Sequence, residues 1–270
     1  MSQLKNCKAP GSDGVPNELL KILPDTFKQY LRHLFLCMWI MGHTPATWKT
    51  STTILLHKRD DPTHLANKWP IGLHLTIYKL WTRVVTAILS EFAEMHFFHN
   101  ASQEGFRRNH NTGRQLQRLV NRLWDAARYG RNIYVMYVDL TNALNTVSHA
   151  KLLQIMQDLG FPQDAIQVVR DLYTDTFSRI LNKVTGLTNA PVRVGHGTIQ
   201  GDTLSPLLFL IYFKPLLRWL SAGQRGYHPT CIPQHARPRC LQSALAFADD
   251  LALLTDSRDH MAVQFDKLMQ

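Results

Sequence analysis

The stretch "ALAFADDLALL" (244–254) sets two adjacent carboxylates, Asp249 and Asp250, inside a run whose other residues suit a buried strand. Stripping an ionised carboxylate of water costs several kcal/mol even after relaxation. A chain that keeps two of them there must either turn at that point and return them to solvent, or meet them with positive charge. A hairpin with the two aspartates at its turn is the expected local structure.

A third carboxylate belongs to the same problem. "NIYVMYVDL" (132–140) is apolar on both alternating faces and so is expected to be a central buried strand, with Asp139 at its C-terminal end. Three carboxylates converging from two strand ends would form a hard-oxygen site suited to Mg²⁺, which takes one or two carboxylates and leaves its other positions to water and phosphates. Two such ions can clamp the attacking and leaving oxygens of a phosphoryl transfer. On spacing alone, a solvated "DD" turn stays open as the plain alternative.

The rest of the composition fits a large anionic partner. Lys and Arg number 30 against 20 for Asp and Glu, a net charge of +10 spread through mixed sequence. A basic globular domain of this kind points to nucleic acid. With 45% hydrophobic residues in 270, one large domain or two small ones can bury a real core. Four cysteines and a polar N-terminus without a secretory signal imply reduced thiols and an intracellular protein. The longest apolar runs, 34–41 and 207–213, fall short of the roughly 20 residues that cross a bilayer.

Along the chain, helical periods alternate with short strands. Residues 24–42 place Phe27, Leu31, Leu34, Phe35 and Met38 at helical spacing before Gly42. Residues 112–130 form an amphipathic helix with Leu116, Leu119, Val120, Leu123 and Ala127 on one face. Its arginines 114, 118, 122 and 128 lie largely elsewhere, as a solvated face or a template cradle. Residues 51–58 are β-rich, 179–195 suggest a hairpin, and helices are expected at about 148–159, 162–176, 205–223 and from 257 onward. The sum is an α+β domain.

Seven motifs in order resemble one family. "AFADDLALL", "YVDLTNALNTV" and "GTIQGDTLSPLLFLIYFKPLL" resemble the palm motifs of a reverse transcriptase of the non-LTR (LINE-type) retrotransposon kind. "APGSDGVPNELLK", "LLHKRDD", "WPIGLHLTIYKLWTRVV" and "SQEGFRRNHNT" are similar to its finger motifs, so the resemblance runs from about residue 9 to 258. It implies right-hand polymerase fingers (1–131) and a partial palm (132–270), with a mainly antiparallel palm sheet backed by helices and no thumb. It implies an RNA template, a DNA primer and dNTPs as partners, no membrane, two Mg²⁺ ions (or Mn²⁺), and a nuclear workplace. Asp139, Asp249 and Asp250 would be catalytic metal ligands. Lys58, Leu144, Gln200 and Gly201 would line the incoming nucleotide, and Gln103, Gly105, Phe106 and Arg107 the template side.

The sequence also departs from the family. Trp69 stands where an Arg before Pro-Ile usually meets the triphosphate, and an indole cannot replace a bidentate fork. Leu144 replaces an aromatic residue that excludes a 2′-hydroxyl, which implies weaker discrimination against ribonucleotides; Asn145 replaces an Asp. The short remainder after the acidic hairpin leaves open a second reading, a catalytically inactive remnant that only binds nucleic acid. Finally, His228, Cys231, His235 and Cys240 mix zinc-type ligands at a spacing that fits no zinc motif well, so a plain surface insertion is the competing expectation.

Overall fold

A computed structural model describes the chain except residues 1–3, 59, 62, 65–66, 97–99, 108, 183–184, 200, 224, 231–240 and 270. The described residues pack as two units, each built from two chain segments: Met1–Phe92 with Leu144–Leu208, and Ala93–Ala143 with Phe209–Gln270.

In the first unit, helix α1 (Asn17–Ile22) precedes α2 (Asp25–Met41). α2 ends where Gly42 takes a left-handed φ of 59° and its N–H closes on the Trp39 carbonyl. Leu31, Phe35 and Met38 of α2 are buried, while Phe27 and Leu34 of the expected face remain exposed. Strand β1 (Thr50–His57) pairs antiparallel with β2 (Lys68–Leu73) and parallel with β4 (Phe177–Leu181); β5 (Val192–Arg193) adds antiparallel to β4. Helices α3 (Thr76–Met95), α5 (His149–Asp158) and α6 (Gln163–Tyr173) supply much of the core, with Trp81, Val85, Leu89, Leu152, Met156 and Val169 almost inaccessible. Lys49 is buried and made tolerable by Asp171, 2.8 Å away, which also accepts the Thr44 N–H. Removing either charge would strand the other.

One buried acid makes this unit's stability pH-dependent. Asp202 sits just before α7 (Ser205–Ser221), accepts a 2.5 Å bond from the Thr82 hydroxyl, and is pushed by burial from its ordinary 3.8 up to about 6. A carboxyl raised on folding contributes stability that is complete below pH 3.8 and lost as pH rises through 6. His74, buried and pushed down to about 4, works in the opposite direction, so the wild-type profile blends the two. The comparison with Asp202→Asn isolates the acid: the variant's stability relative to wild type is expected to rise by about 2–3 kcal/mol between pH 4 and 7. Urea denaturation of both proteins across that range checks it; a difference that stays constant with pH would refute it.

The second unit contains strands β3 (Tyr134–Val138), β6 (Ala244–Phe247) and β7 (Asp250–Thr255) in the order β3-β7-β6, all antiparallel. This corrects the expectation for residues 132–140. β3 lies at an edge of the three-stranded sheet and its Tyr137 is 72% exposed, while β7 takes the middle with residues 251–255 buried. β6 pairs with β7 on one side and bonds residues 102–104 on the other, which leaves the far side of β7 for β3.

Helix α4 (Thr112–Arg128) also differs from its expected face. Leu116 and Leu123 are exposed, and the buried positions are Gln115, Asp125 and Ala126. The polar pair is buried because it is bonded: Gln115 donates to the Ser102 and Ala246 carbonyls, and Asp125 accepts from the Tyr227 hydroxyl at 2.7 Å. Leu245, Ala252, Leu254, Tyr227 and Ala126 form the local core. Helix α8 (Arg258–Met269) follows β7 and buries Gln264.

Candidate active site

The acidic hairpin turns on two residues. Phe247 pairs with Asp250, which leaves Ala248 and Asp249 as its loop. Ala248 has φ +57°, a positive value at the first central position as in type II′ hairpins, where glycine is usual. An alanine there is strained by about 1–2 kcal/mol and needs outside support. Asp249 is half-buried and Asp250 exposed. Asp139 follows the last β3 pairing, Val138 with Leu251, so Asp139 and Asp250 meet at the same end of the β3–β7 pair. Both line one groove of about 420 Å³ beside Thr112, Leu116, Tyr137 and Phe247.

These carboxylates fit a hard cation by their chemistry: they are oxygen donors, reachable by solvent, at one end of a sheet. Among the described residues, no group of three His, Cys, Asp or Glu side chains is gathered closely enough to hold a metal by itself. The donor set therefore suits an ion that takes its remaining ligands from water and phosphate.

The support for the turn comes from residues 102–105. Ser102 and Glu104 bond to both backbone groups of Ala246, and Gln103 forms a parallel bridge to it. The Gln103 side chain is only 3% exposed and its amide is occupied by Ala248 and Gly105. A Cβ on Gly105 would overlap the Ala248 nitrogen and come within 2.8 Å of its Cα. Glu104, 1% exposed, is neutralised by Arg118 at 2.9 Å and Arg114 at 3.4 Å. Those two arginines are thus held to the protein, and Arg107 likewise pairs with Glu94 at 3.1 Å. Of the four residues expected on the template side, Phe106 alone presents an exposed side chain, at a strained φ of +56°. Sequence reasoning missed Glu104 as an anchor; the signal available was a lone acid ahead of a run of arginines.

The nucleotide-side residues lie in the first unit. Gly201 has φ +102° and a Cβ there would sit 2.7 Å from the Gly72 carbonyl oxygen. Leu144 is half-buried in a 3₁₀ turn (Ala143–Thr146), and its carbonyl accepts the Thr198 N–H; Asn145 beside it is exposed. Gln200 lies outside the described residues. Lys58 is exposed and its ammonium stands 5.6 Å from the Trp69 ring. That cation–π contact is worth about 0.5–1 kcal/mol and holds the lysine over the indole. Trp69→Arg is expected to lower the dNTP KM several-fold by restoring a bidentate donor and releasing Lys58; steady-state kinetics checks it, and equal KM values would count against it. Of the four zinc-type residues, Cys231, His235 and Cys240 lie outside the described residues, and His228 contacts Asp256 at 3.1 Å.

Residues 56–270 match the family model described as "Reverse transcriptase (RNA-dependent DNA polymerase)". The chain belongs to the reverse transcriptase family. Its relatives include the "Probable RNA-directed DNA polymerase from transposon BS" of Drosophila melanogaster, 28% identical over 93% of this chain and 26% of that protein. The "RNA-directed DNA polymerase from mobile element jockey" of the same species is 27% identical over 94% of this chain and 26% of that protein. A "Retrovirus-related Pol polyprotein from type-1 retrotransposable element R2" of Popillia japonica is 30% identical over 92% and 33%. The chain thus spans about a quarter to a third of the length of these curated relatives. Solved structures share the fold: apo telomerase of Candida tropicalis, truncated from its C-terminal domain, superposes with a TM-score of 0.58 at 13% identity, covering 91% of this chain and 52% of that one. Telomerase of Candida albicans in complex with a TWJ fragment of telomeric RNA gives 0.55 at 12%, covering 92% and 44%. The α+β polymerase fold and the resemblance to non-LTR elements expected from the motifs are both borne out. No helix among the described residues is long and apolar enough to cross a membrane.

Proposed function

We propose that this reverse transcriptase domain carries the nucleotidyl-transfer centre of an RNA-directed DNA polymerase, extending a DNA primer on an RNA template with dNTPs. The observation that carries the reading is the meeting of Asp139 and Asp250 in one groove, with Asp249 on the adjoining two-residue turn. Reverse transcriptases are nucleotidyltransferases that normally need a divalent metal. Asp139, Asp249 and Asp250 would hold Mg²⁺, two ions with Mn²⁺ as a substitute, which when bound supplies charge stabilisation to the reacting phosphate.

The chain's own part is positioning. The carboxylates fix the acidic end of the groove, so that the primer 3′-hydroxyl attacks the α-phosphate in line and pyrophosphate leaves. Lys58, Leu144, Gln200 and Gly201 would contact the incoming nucleotide, and Phe106 would stack on the template strand. In this reading residues 1–131 act as fingers, 132–270 as palm, and the work is done in the nucleus.

Primer extension on an RNA template, with Mg²⁺ and after chelation, tests the proposal. Extension that needs the metal and disappears in Asp249→Ala supports it. Duplex binding without extension in either protein would overturn it in favour of a nucleic-acid-binding remnant.

A further inference from the structure

We propose that Gln103 is a positioning residue that sets the direction of Asp249 by clamping the peptide groups of Ala248, rather than a residue that touches the template. The inference rests on the reading of Asp249 as a metal ligand.

The geometry is specific. Gln103 Oε1 accepts from the Ala248 N–H at 2.9 Å, while Nε2 donates to the Ala248 carbonyl at 2.9 Å. One amide thus takes both backbone polar groups of the residue that precedes Asp249. The same oxygen accepts the Gly105 N–H at 2.8 Å, which locks the side chain to its own segment. The whole arrangement is buried, so water does not compete for these groups.

Ala248 needs such a clamp. It holds a positive φ that alanine disfavours, and strained residues persist only where their surroundings over-determine them. The carbonyl that Gln103 grips belongs to the peptide linking Ala248 to Asp249, so its plane sets where the Asp249 side chain leaves the backbone. Gly105 completes the fit, because any side chain there would enter the space of Ala248. Gln103 makes these bonds across 145 residues of sequence, from a segment otherwise joined to the hairpin through Ala246.

The test uses the full chain and Mn²⁺ as the probe, with its binding followed by electron paramagnetic resonance. The Ala248 amide exchange rate is followed by NMR. Gln103→Met keeps the volume and removes the amide. Gln264→Met is the matched control, since Gln264 is an equally buried glutamine whose amide spans the Leu220 and Arg225 carbonyls. Gln103→Met is expected to weaken Mn²⁺ binding about 5–10-fold and to speed Ala248 exchange about 100-fold, while Gln264→Met leaves both at wild-type values. Should Gln103→Met fail to fold, Gln103→Asn retracts the amide by one methylene and carries the same two readouts.

Wild-type Mn²⁺ affinity or wild-type Ala248 exchange in the Gln103 variant overturns the inference, provided Asp249→Ala weakens binding. If Asp249→Ala binds Mn²⁺ as the wild type does, the metal-ligand reading itself fails and takes the inference with it.

Discussion

Gly105→Ala is expected to destabilise the protein by about 3 kcal/mol or more and to remove most of the proposed polymerase activity. The reason is a collision between two backbones. The added Cβ would overlap the Ala248 nitrogen, and neither partner is the flexible end of a side chain that could swing away. Overpacking a close-fitted site costs about 1–3 kcal/mol where side chains can adjust, and more where they cannot. Relief would require residues 102–105 to part from β6, breaking the Gln103 bonds to Ala248 and the Ala246 bridge. Gly195→Ala is the control, because a Cβ there meets nothing within 4 Å and the backbone is not left-handed. It should be neutral, or slightly stabilising through lost chain entropy. Chemical denaturation of the two variants checks the contrast; equal midpoints would show that the approach of Gly105 to the turn is not tight in solution.

Asp249→Ala is expected to act with the opposite signature. Removing one member of a preorganised electrostatic site typically costs about 10²–10³ in rate, and loss of a metal ligand should cost at least the upper figure. Folding stability should hold or improve by up to about 0.5 kcal/mol in metal-free buffer, as for a change away from the core. The side chain is half-buried beside another carboxylate, so its deletion removes a repulsion along with only a small polar contact area. Rate and stability measured on the same preparation distinguish this result from a merely structural one. A variant that loses both together would place Asp249 among the supports of the turn.

The part of this architecture legible in the sequence was the part encoded locally. Two charges inside an apolar run can only be a turn or a site, and Asp249 and Asp250 proved to stand at a hairpin turn. Gly42 ended its helix because a left-handed residue was needed there. The errors arose where distant partners decide. The leucines of α4 suggest one buried face, yet the helix buries Gln115 and Asp125, whose acceptors and donors lie on Ser102, Ala246 and Tyr227. The apolar faces of β3 suggest a central strand, but the middle place in this three-stranded sheet goes to β7, which pairs on both sides. Gln103 could be recognised by motif, while its bonds to Ala248 are invisible to any local pattern.

That long-range clamp has a consequence for the order of assembly. Residues 102–105 and 246–248 are joined by bonds spanning 145 positions, so the turn cannot take its final form by local collapse of the hairpin alone. Closing so large a loop is an entropic expense met before the contact returns anything. During synthesis, the segment around Gln103 must wait, unpaired, until residues 246–248 leave the ribosome. The acidic end of this sheet would therefore mature later than the β3 strand that carries Asp139. A nascent chain interrupted before residue 248 would carry Asp139 with nothing to face it.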